Sequence, residues 1–598
     1  MLRVLAVGFF SAVFLLIALL TASQVIRPPD LHDFESSDFY KTSAAQTAAG
    51  DAGLLRAMNP AQMLTGDLAG ADGLDVHVYP NFLPQIRRYA WYPYRASDTL
   101  TLNPSWASEV TEVRVNGEPT SLSAPITLDA QAHGSEVIIE AQTADGARRA
   151  EYVFVVLPHT FPPLRTTVHA ADAVAPGIIT GLQAVGMNNP TFSRARALRN
   201  LLYVVGIRGT LKFLQKSRLQ VFDDFIAANP ADSLDFAHRE YLPFVNFALD
   251  SYGVPLKYSN YLPSTIFLPI TTSEDEGLLP EQGFVYKEGV MDTADNFAEA
   301  ITRSFVARRG ERDRSTHLEV PRHLAQFDDG HHIDVTPWET LQNVFYRIHP
   351  AGSVLKSGEK LDVNVTSTYV VELDRQGEVV FEWDSIDHFP PQQDISYLPK
   401  DRYADWDYFH TNGVRFTDDH TELLVSARYL RAVANVAYPT GTVNWVLADS
   451  ASPLNDFTYI GDPLGGISTL HAAVMRDDSL LVFDNGHYDT PEFEADSVIY
   501  GAPIDVRHDY TRVVSYKLDL DAMTATYERE WTYPERMVRT AGYLMFVPQR
   551  SGAENLLVSW GSGGAFTEYA SDNELVMSTD TGGLTYRFYK VNIDHWME

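Results

Sequence analysis

The chain contains no cysteine. Zinc-thiolate and iron–sulfur centres, a thiol nucleophile and every disulfide are thereby excluded at once. The absence fits an oxidising compartment without demonstrating one. Positive charge is also scarce. Lys and Arg number 46 against 78 Asp and Glu, giving a formal net charge of −32 and a pI near 4.9. Nucleic acid and anionic lipid both require a positive footprint, so neither is expected as a general partner.

An apolar run opens the chain. Arg3 is followed by residues 4–22, which are apolar apart from Gly8, Ser11 and Thr21. At about 20 residues the run is long enough to span a bilayer, and Thr21-Ala22-Ser23 is a weak cleavage site. Residues 1–26 are therefore expected to be an uncleaved signal anchor, with a cleaved signal peptide as the alternative. Arg3 on one side and Asp30, Asp33, Glu35 and Asp38 on the other place the N-terminus in the cytoplasm, and with either fate of the segment the body of the protein is expected to be exported.

At 598 residues, two domains or more are expected. Residues 27–75, rich in Ala, Gly, Asp and Ser, read as a linker with some helix. From 76 to 163, short alternating strands such as Val110-Thr111-Glu112-Val113-Arg114-Val115 are joined by Asn116-Gly117 and Asp145-Gly146 turns and predict a β-sandwich. From 164 to 598 a strand–turn–strand phrase recurs, clearest at residues 369–380 and again at 247–258, 436–446 and 513–527. Repeats at this long, uneven period predict a β-propeller of about six blades with loop insertions. Residues 270–325 fit worst, and a helical stretch near Asn296 to Arg308 is expected to leave the blade. The expected fold class is all-β: an N-terminal β-sandwich, then a six-bladed β-propeller, after a membrane-spanning or signal segment.

His410 and Arg428 stand 18 residues apart, on two strands joined by a polar turn at Asp418-Asp419. In an up-and-down pair they meet at one end of the sheet and make a site for an anion. His332 (in Gly330-His331-His332-Ile333-Asp334) and His471 (in Leu470-His471-Ala472-Ala473) read as occupying the place of His410 in neighbouring blades, so the three imidazoles converge on the channel. Neighbouring strand residues face opposite ways, so only one of His331 and His332 lines the channel; register selects His332. Three histidines suit zinc as well, but the guanidinium of Arg428 repels a cation.

These segments resemble the bacterial arylsulfate sulfotransferase family, periplasmic propeller enzymes that need no adenylyl-sulfate donor. The resemblance rests on His331-His332-Ile333-Asp334, residues 368–380, Phe409-His410-Thr411-Asn412, Ser426-Ala427-Arg428, and Leu470-His471 through Phe483-Asp484-Asn485-Gly486. It implies ping-pong transfer of a sulfuryl group from an aryl sulfate to a phenol. His471 would be the nucleophile, and His332, His410 and Arg428 would hold the sulfate oxygens and handle the phenolic proton. Asn412, His331, His487 and Thr540 would bind substrate, with Trp338, Tyr408 and Tyr543 as candidates for an aryl pocket. No metal and no cofactor is implied. The partners would be an aryl sulfate donor, a phenol acceptor and the inner membrane, with a homodimer left open. The rival readings are an aryl sulfate hydrolase, a propeller dehydrogenase using a quinone cofactor, and a membrane-anchored binding propeller without catalysis.

Overall fold

The computed structural model describes residues 55–63, 78–93, 99–130, 135–157, 164–184, 244–259, 267–269, 284–290, 301–307, 315–319, 333–335, 340–374, 378–391, 406–486, 498–499, 502–503, 508, 510–533, 538, 541–549, 551–581 and 584–591. The chain is all-β. The expected membrane-spanning or signal segment, residues 1–26, lies outside the described residues. Among the described residues no helix is long and apolar enough to cross a membrane.

Two sheets form the N-terminal part. One pairs Leu55–Met63, Thr99–Trp106 and Ile126–Asp129; the other runs through Val78–Tyr79, Arg88–Trp91, Arg149–Val156, Glu136–Thr143, Val110–Val115 and Glu118–Thr120. Alternation sets their facing: Ile126 and Leu128 are buried, whereas Thr127 and Asp129 are exposed. Asn116 (φ 51°) and Gly117 (φ 82°) make the tight turn to the next strand, as the right-handed twist of a hairpin requires. Leu100, Leu128, Val113, Ile139 and Tyr152 share one core, which continues into Leu557, Phe566 and Phe588 near the C-terminus. The expected linker needs correcting in part: Leu55–Met63 pairs along Thr99–Trp106 as a sheet strand.

Beyond residue 164 the chain forms successive antiparallel sheets. Ile178–Ala184, Phe244–Leu249 and Pro255–Ser259 are joined by the last strand, Leu584–Val591, which pairs with Ile178–Ala184. Phe267–Pro269, Phe284–Val290, Ile301–Ala307 and Ser315–Glu319 form the next sheet. Then come Ile333–Val335, Leu341–His349, Val365–Leu373 and Val379–Asp384, followed by Val414–Phe416, Glu422–Ala427, Ala432–Ala437 and Val443–Ala448. Leu470–Arg476, Ser479–Asp484, Arg512–Asp519 and Thr524–Thr532 follow, and finally Tyr543–Pro548, Glu554–Ser559, Ala565–Tyr569 and Leu575–Asp580, with Arg165–Val168 on the outer edge. Leu470–Arg476 lies alongside Glu422–Ala427 and Tyr543–Pro548, and Leu584–Val591 alongside Tyr543–Pro548 and Phe267–Pro269.

The expected helix near Asn296 to Arg308 is overturned. Ile301–Ala307 is a strand paired on both sides, to Phe284–Val290 and Ser315–Glu319. Its β-branched and aromatic residues suit a pleated surface, and pairing with two neighbours outweighs local helical spacing.

Candidate active site

The strands Val414–Phe416 and Glu422–Ala427 set the first part of the site. Val414 pairs with Val425 across the turn, and Asp419 closes the turn by accepting hydrogen bonds from the Thr417 hydroxyl (2.8 Å) and the Thr421 amide (3.2 Å). At the open end the Arg428 N–H donates to the His410 carbonyl at 3.1 Å. His410 has φ 53°, a left-handed conformation costly for a side-chain-bearing residue. Its Nδ1 lies 2.5 Å from Asp407 Oδ2, and its ring stands between those of Tyr346 (centroids 5.9 Å) and Tyr429 (4.8 Å). The carboxylate holds the proton on Nδ1, which places the basic lone pair on Nε2.

The second part is buried around His471, 6% exposed, and Arg428, 4% exposed. His471 Nε2 accepts from the Ala541 N–H at 2.8 Å, so the ring proton sits on Nδ1, which donates to Asn485 Oδ1 at 2.6 Å. Asn485 is oriented by its own amide, which donates to the carbonyls of Val538 (2.8 Å) and Ala541 (3.0 Å). Arg428 Nη1 comes within 2.7 Å of this protonated Nδ1 and 3.4 Å of Asn485 Oδ1. A guanidinium donor thus faces an imidazole N–H, a repulsive contact that an anion beside the pair, drawing the guanidinium toward itself, relieves.

Asn412 borders this cluster. It is 1% exposed, and both polar atoms of its side chain lack a hydrogen-bond partner. Leaving them so in a buried place costs about 1–3 kcal/mol each, and a ligand with both donor and acceptor capacity would remove that cost.

Below the site, the buried Arg512 fixes the strand end that carries Asn485. Its Nε donates to Asp484 Oδ2 at 3.2 Å, and its two terminal nitrogens bind Asp462, each at 2.9 Å. Burial alone lowers the Arg512 pKa, but the bonds from Asp462 and the charge of Asp484 outweigh it and raise it. Asp484 Oδ1 in turn accepts from the Ser468 and Gly486 amides at 3.2 and 3.1 Å.

The structure brings Arg428 and His471 into contact and places His410 beside Arg428 through the backbone. It corrects the expected equivalence of His410 and His471. Val414, Ala473 and Met545 pair with Val425, Val482 and Leu557, each two residues before the end of its second strand. Asn412, His471 and Tyr543 therefore occupy one level. His410 corresponds to Thr469, whose carbonyl accepts from the Asn485 N–H at 2.7 Å just as that of His410 accepts from Arg428.

His331, His332, His487, Thr540 and Trp338 lie outside the described residues. Tyr408 does not line a pocket: it is fully buried, with its hydroxyl 3.0 Å from Ser385 Oγ and its ring packed edgewise on Trp406 and Phe409. Burial pushes its phenol well above the usual range.

Asn485, Asp407, the Ala541 N–H and Arg587 were not singled out from the sequence. Asn485 carries a readable signal, since it follows the second strand of its sheet as Arg428 follows its own. Among the described residues no cluster of three or more His, Asp or Glu is placed to hold a metal.

Residues 330–561 match the family model for Arylsulfotransferase (ASST). No curated protein matches the chain. Among solved structures, the periplasmic gluconolactonase PpgL of Pseudomonas aeruginosa is 11% identical, with a TM-score of 0.29, covering 58% of this chain and 95% of that one. A protein of unknown function from Bacteroides caccae is 10% identical, with a TM-score of 0.29, covering 58% and 94%. An auxiliary nutrient binding protein from Bacteroides thetaiotaomicron is 7% identical, with a TM-score of 0.28, covering 82% and 87%. Superpositions this loose carry no argument about fold or activity.

Proposed function

We propose that this protein transfers a sulfuryl group from an aryl sulfate to a phenol, with catalysis housed in the domain that matches the arylsulfotransferase family at residues 330–561. That match supports aryl sulfotransferase activity in general. The observation that carries the reading further is the buried approach of Arg428 to His471 at 2.7 Å, a cationic corner shaped for an anion.

In this reading the consecutive sheets are the blades of a six-bladed propeller, closed where Leu584–Val591 pairs with Ile178–Ala184. The sulfate oxygens sit between Arg428 and Asn412. His471 Nε2 exchanges its bond from the Ala541 N–H for the sulfur: an N–S bond forms, the S–O(aryl) bond breaks, and the phenolate leaves with the bonding pair. His410, held by Asp407, takes the proton of the incoming phenol on Nε2 and, as the imidazolium, gives it to the phenolate that leaves in the next cycle. The acceptor oxygen then attacks sulfur, the N–S bond breaks, and the imidazole recovers its lone pair. His332 is proposed to hold a sulfate oxygen, and His331, His487 and Thr540 to line the substrate pocket. The apolar N-terminal segment supports export to the periplasm, with residues 4–26 as an inner-membrane anchor or a cleaved signal.

Incubation with 4-nitrophenyl sulfate, with and without added phenol, tests the reading. Release of nitrophenol that depends on phenol, with phenyl sulfate formed in equal amount, is expected. Equal release without phenol would mark a hydrolase, and no release in either case a binding protein.

A further inference from the structure

We propose that the site has a neighbouring subsite for a second negative charge on the substrate, so that its preferred phenolic acceptors carry a carboxylate. The inference rests on the sulfotransferase reading for the identity of the reaction, but not for the existence of the subsite.

Tyr543 is its centre. It occupies the level of His471 and Asn412 and lies two residues after Ala541, whose N–H donates to His471. Two guanidinium groups converge on its ring. Arg415, on the strand that follows Asn412, has its Cζ 4.5 Å from the ring centroid, and Arg587 has its Cζ 5.2 Å away. Arg415 Nη2 also donates to the Tyr543 hydroxyl, and Arg587 Nη2 donates to the Asn412 carbonyl. The Tyr589 ring packs at 4.8 Å on Tyr543.

The link to the reacting corner is short. A Cβ placed on Gly413 would lie 3.9 Å from the His471 carbonyl and 4.0 Å from Arg587 Nη2. Arg428, Arg415 and Arg587 therefore crowd one region of a chain whose net charge is −32. Each guanidinium presents a planar fork of donors, and a ligand bearing two separated anionic groups accepts from more than one of them. The tyrosine rings suit an aryl ring between the two anions. Arg415 is half-buried and Arg587 is 5% exposed, so a carboxylate beside them is bound where solvent screening is weak. The chemical class is an aryl ring with a phenol at one end and a carboxylate at the other.

The test compares 4-hydroxyphenylacetate with its neutral isostere 4-hydroxyphenylacetamide as acceptors. The wild-type protein should favour the acid in kcat/KM by about tenfold, the size of one charge-assisted hydrogen bond, and the preference should shrink with added salt. In Arg415→Gln the ratio should fall to about one, and Arg415→Lys should recover part of it. A wild-type ratio at or below one, or a ratio unchanged in Arg415→Gln, overturns the subsite.

Calorimetric titration of the same two compounds separates this from failure of the proposed reaction. Tighter binding of the acid without turnover of either compound keeps the subsite and sinks the transferase reading. Equal turnover and equal binding sink the subsite alone.

Discussion

The His410 carbonyl accepts the Arg428 N–H at 3.1 Å, while the Arg428 guanidinium reaches forward to the His471 ring at 2.7 Å. One arginine thus joins two neighbouring sheets, by its backbone on one side and its side chain on the other. Both contacts fix where its charge sits.

Arg428→Lys should lower kcat/KM for an aryl sulfate by roughly 10- to 100-fold, since a point charge replaces a planar fork of donors and loses about 1–3 kcal/mol of charge-assisted hydrogen bonding. Steady-state kinetics beside an unchanged melting curve would check it. A loss under twofold would remove Arg428 from the anion site.

Asn485→Ala should act through His471. It removes the acceptor at 2.6 Å that holds the Nδ1 proton and leaves the Val538 and Ala541 carbonyls without its amide. A fall in kcat of roughly tenfold or more is expected, with a smaller change in KM, because a misplaced imidazole affects reaction more than binding. Equal loss in both parameters would instead indicate a general loss of structure.

Gly542 has φ 134°, and a Cβ there would run into the Phe483 ring. Gly542→Ala should therefore lower the melting temperature and shift Ala541, whose N–H holds His471. Overpacking of this kind costs about 1–3 kcal/mol. Normal stability and normal turnover together would contradict the account of this segment.

Asp250 lies away from the site and makes a pH-dependent prediction. Burial pushes its carboxyl up to about 6. Its Oδ1 accepts from the Tyr252 and Val254 amides, both at 2.9 Å, while Oδ2 is buried without a partner. A carboxyl whose folded pKa exceeds its unfolded value binds more protons in the folded state. Stability therefore falls as pH rises from about 4, the ordinary carboxylate value, through about 6. Asp250→Asn keeps the acceptor and removes the charge, so its melting temperature should exceed that of the wild type at pH 7.5 and converge with it below pH about 5. A variant less stable at both pH values would contradict this.

The His410–Arg428 pair was legible in the sequence because it depends on one hairpin, whose turn residues and apolar strands are local. The level of His471 was not. The pairing register shifts between Leu470 and Ala472, and nothing in the spelling of Leu470-His471-Ala472 announces a bulge. Asp407 escaped notice because a left-handed His410 turns its ring back toward a residue three positions earlier. Arg587 escaped because it reaches the Asn412 carbonyl from a strand 175 residues away. Ile301–Ala307 was misread as helix because its two partner strands, not its own spacing, decide its conformation.

The most direct test of the central claim is mass spectrometry of the protein quenched after mixing with an aryl sulfate in the absence of acceptor. A covalent intermediate adds about 80 Da, the mass of SO₃. That mass should appear on the peptide carrying His471, disappear when phenol is added before the quench, and be missing in His471→Asn. Turnover of the donor by a protein that never carries the added mass, or by His471→Asn at the wild-type rate, would contradict the account.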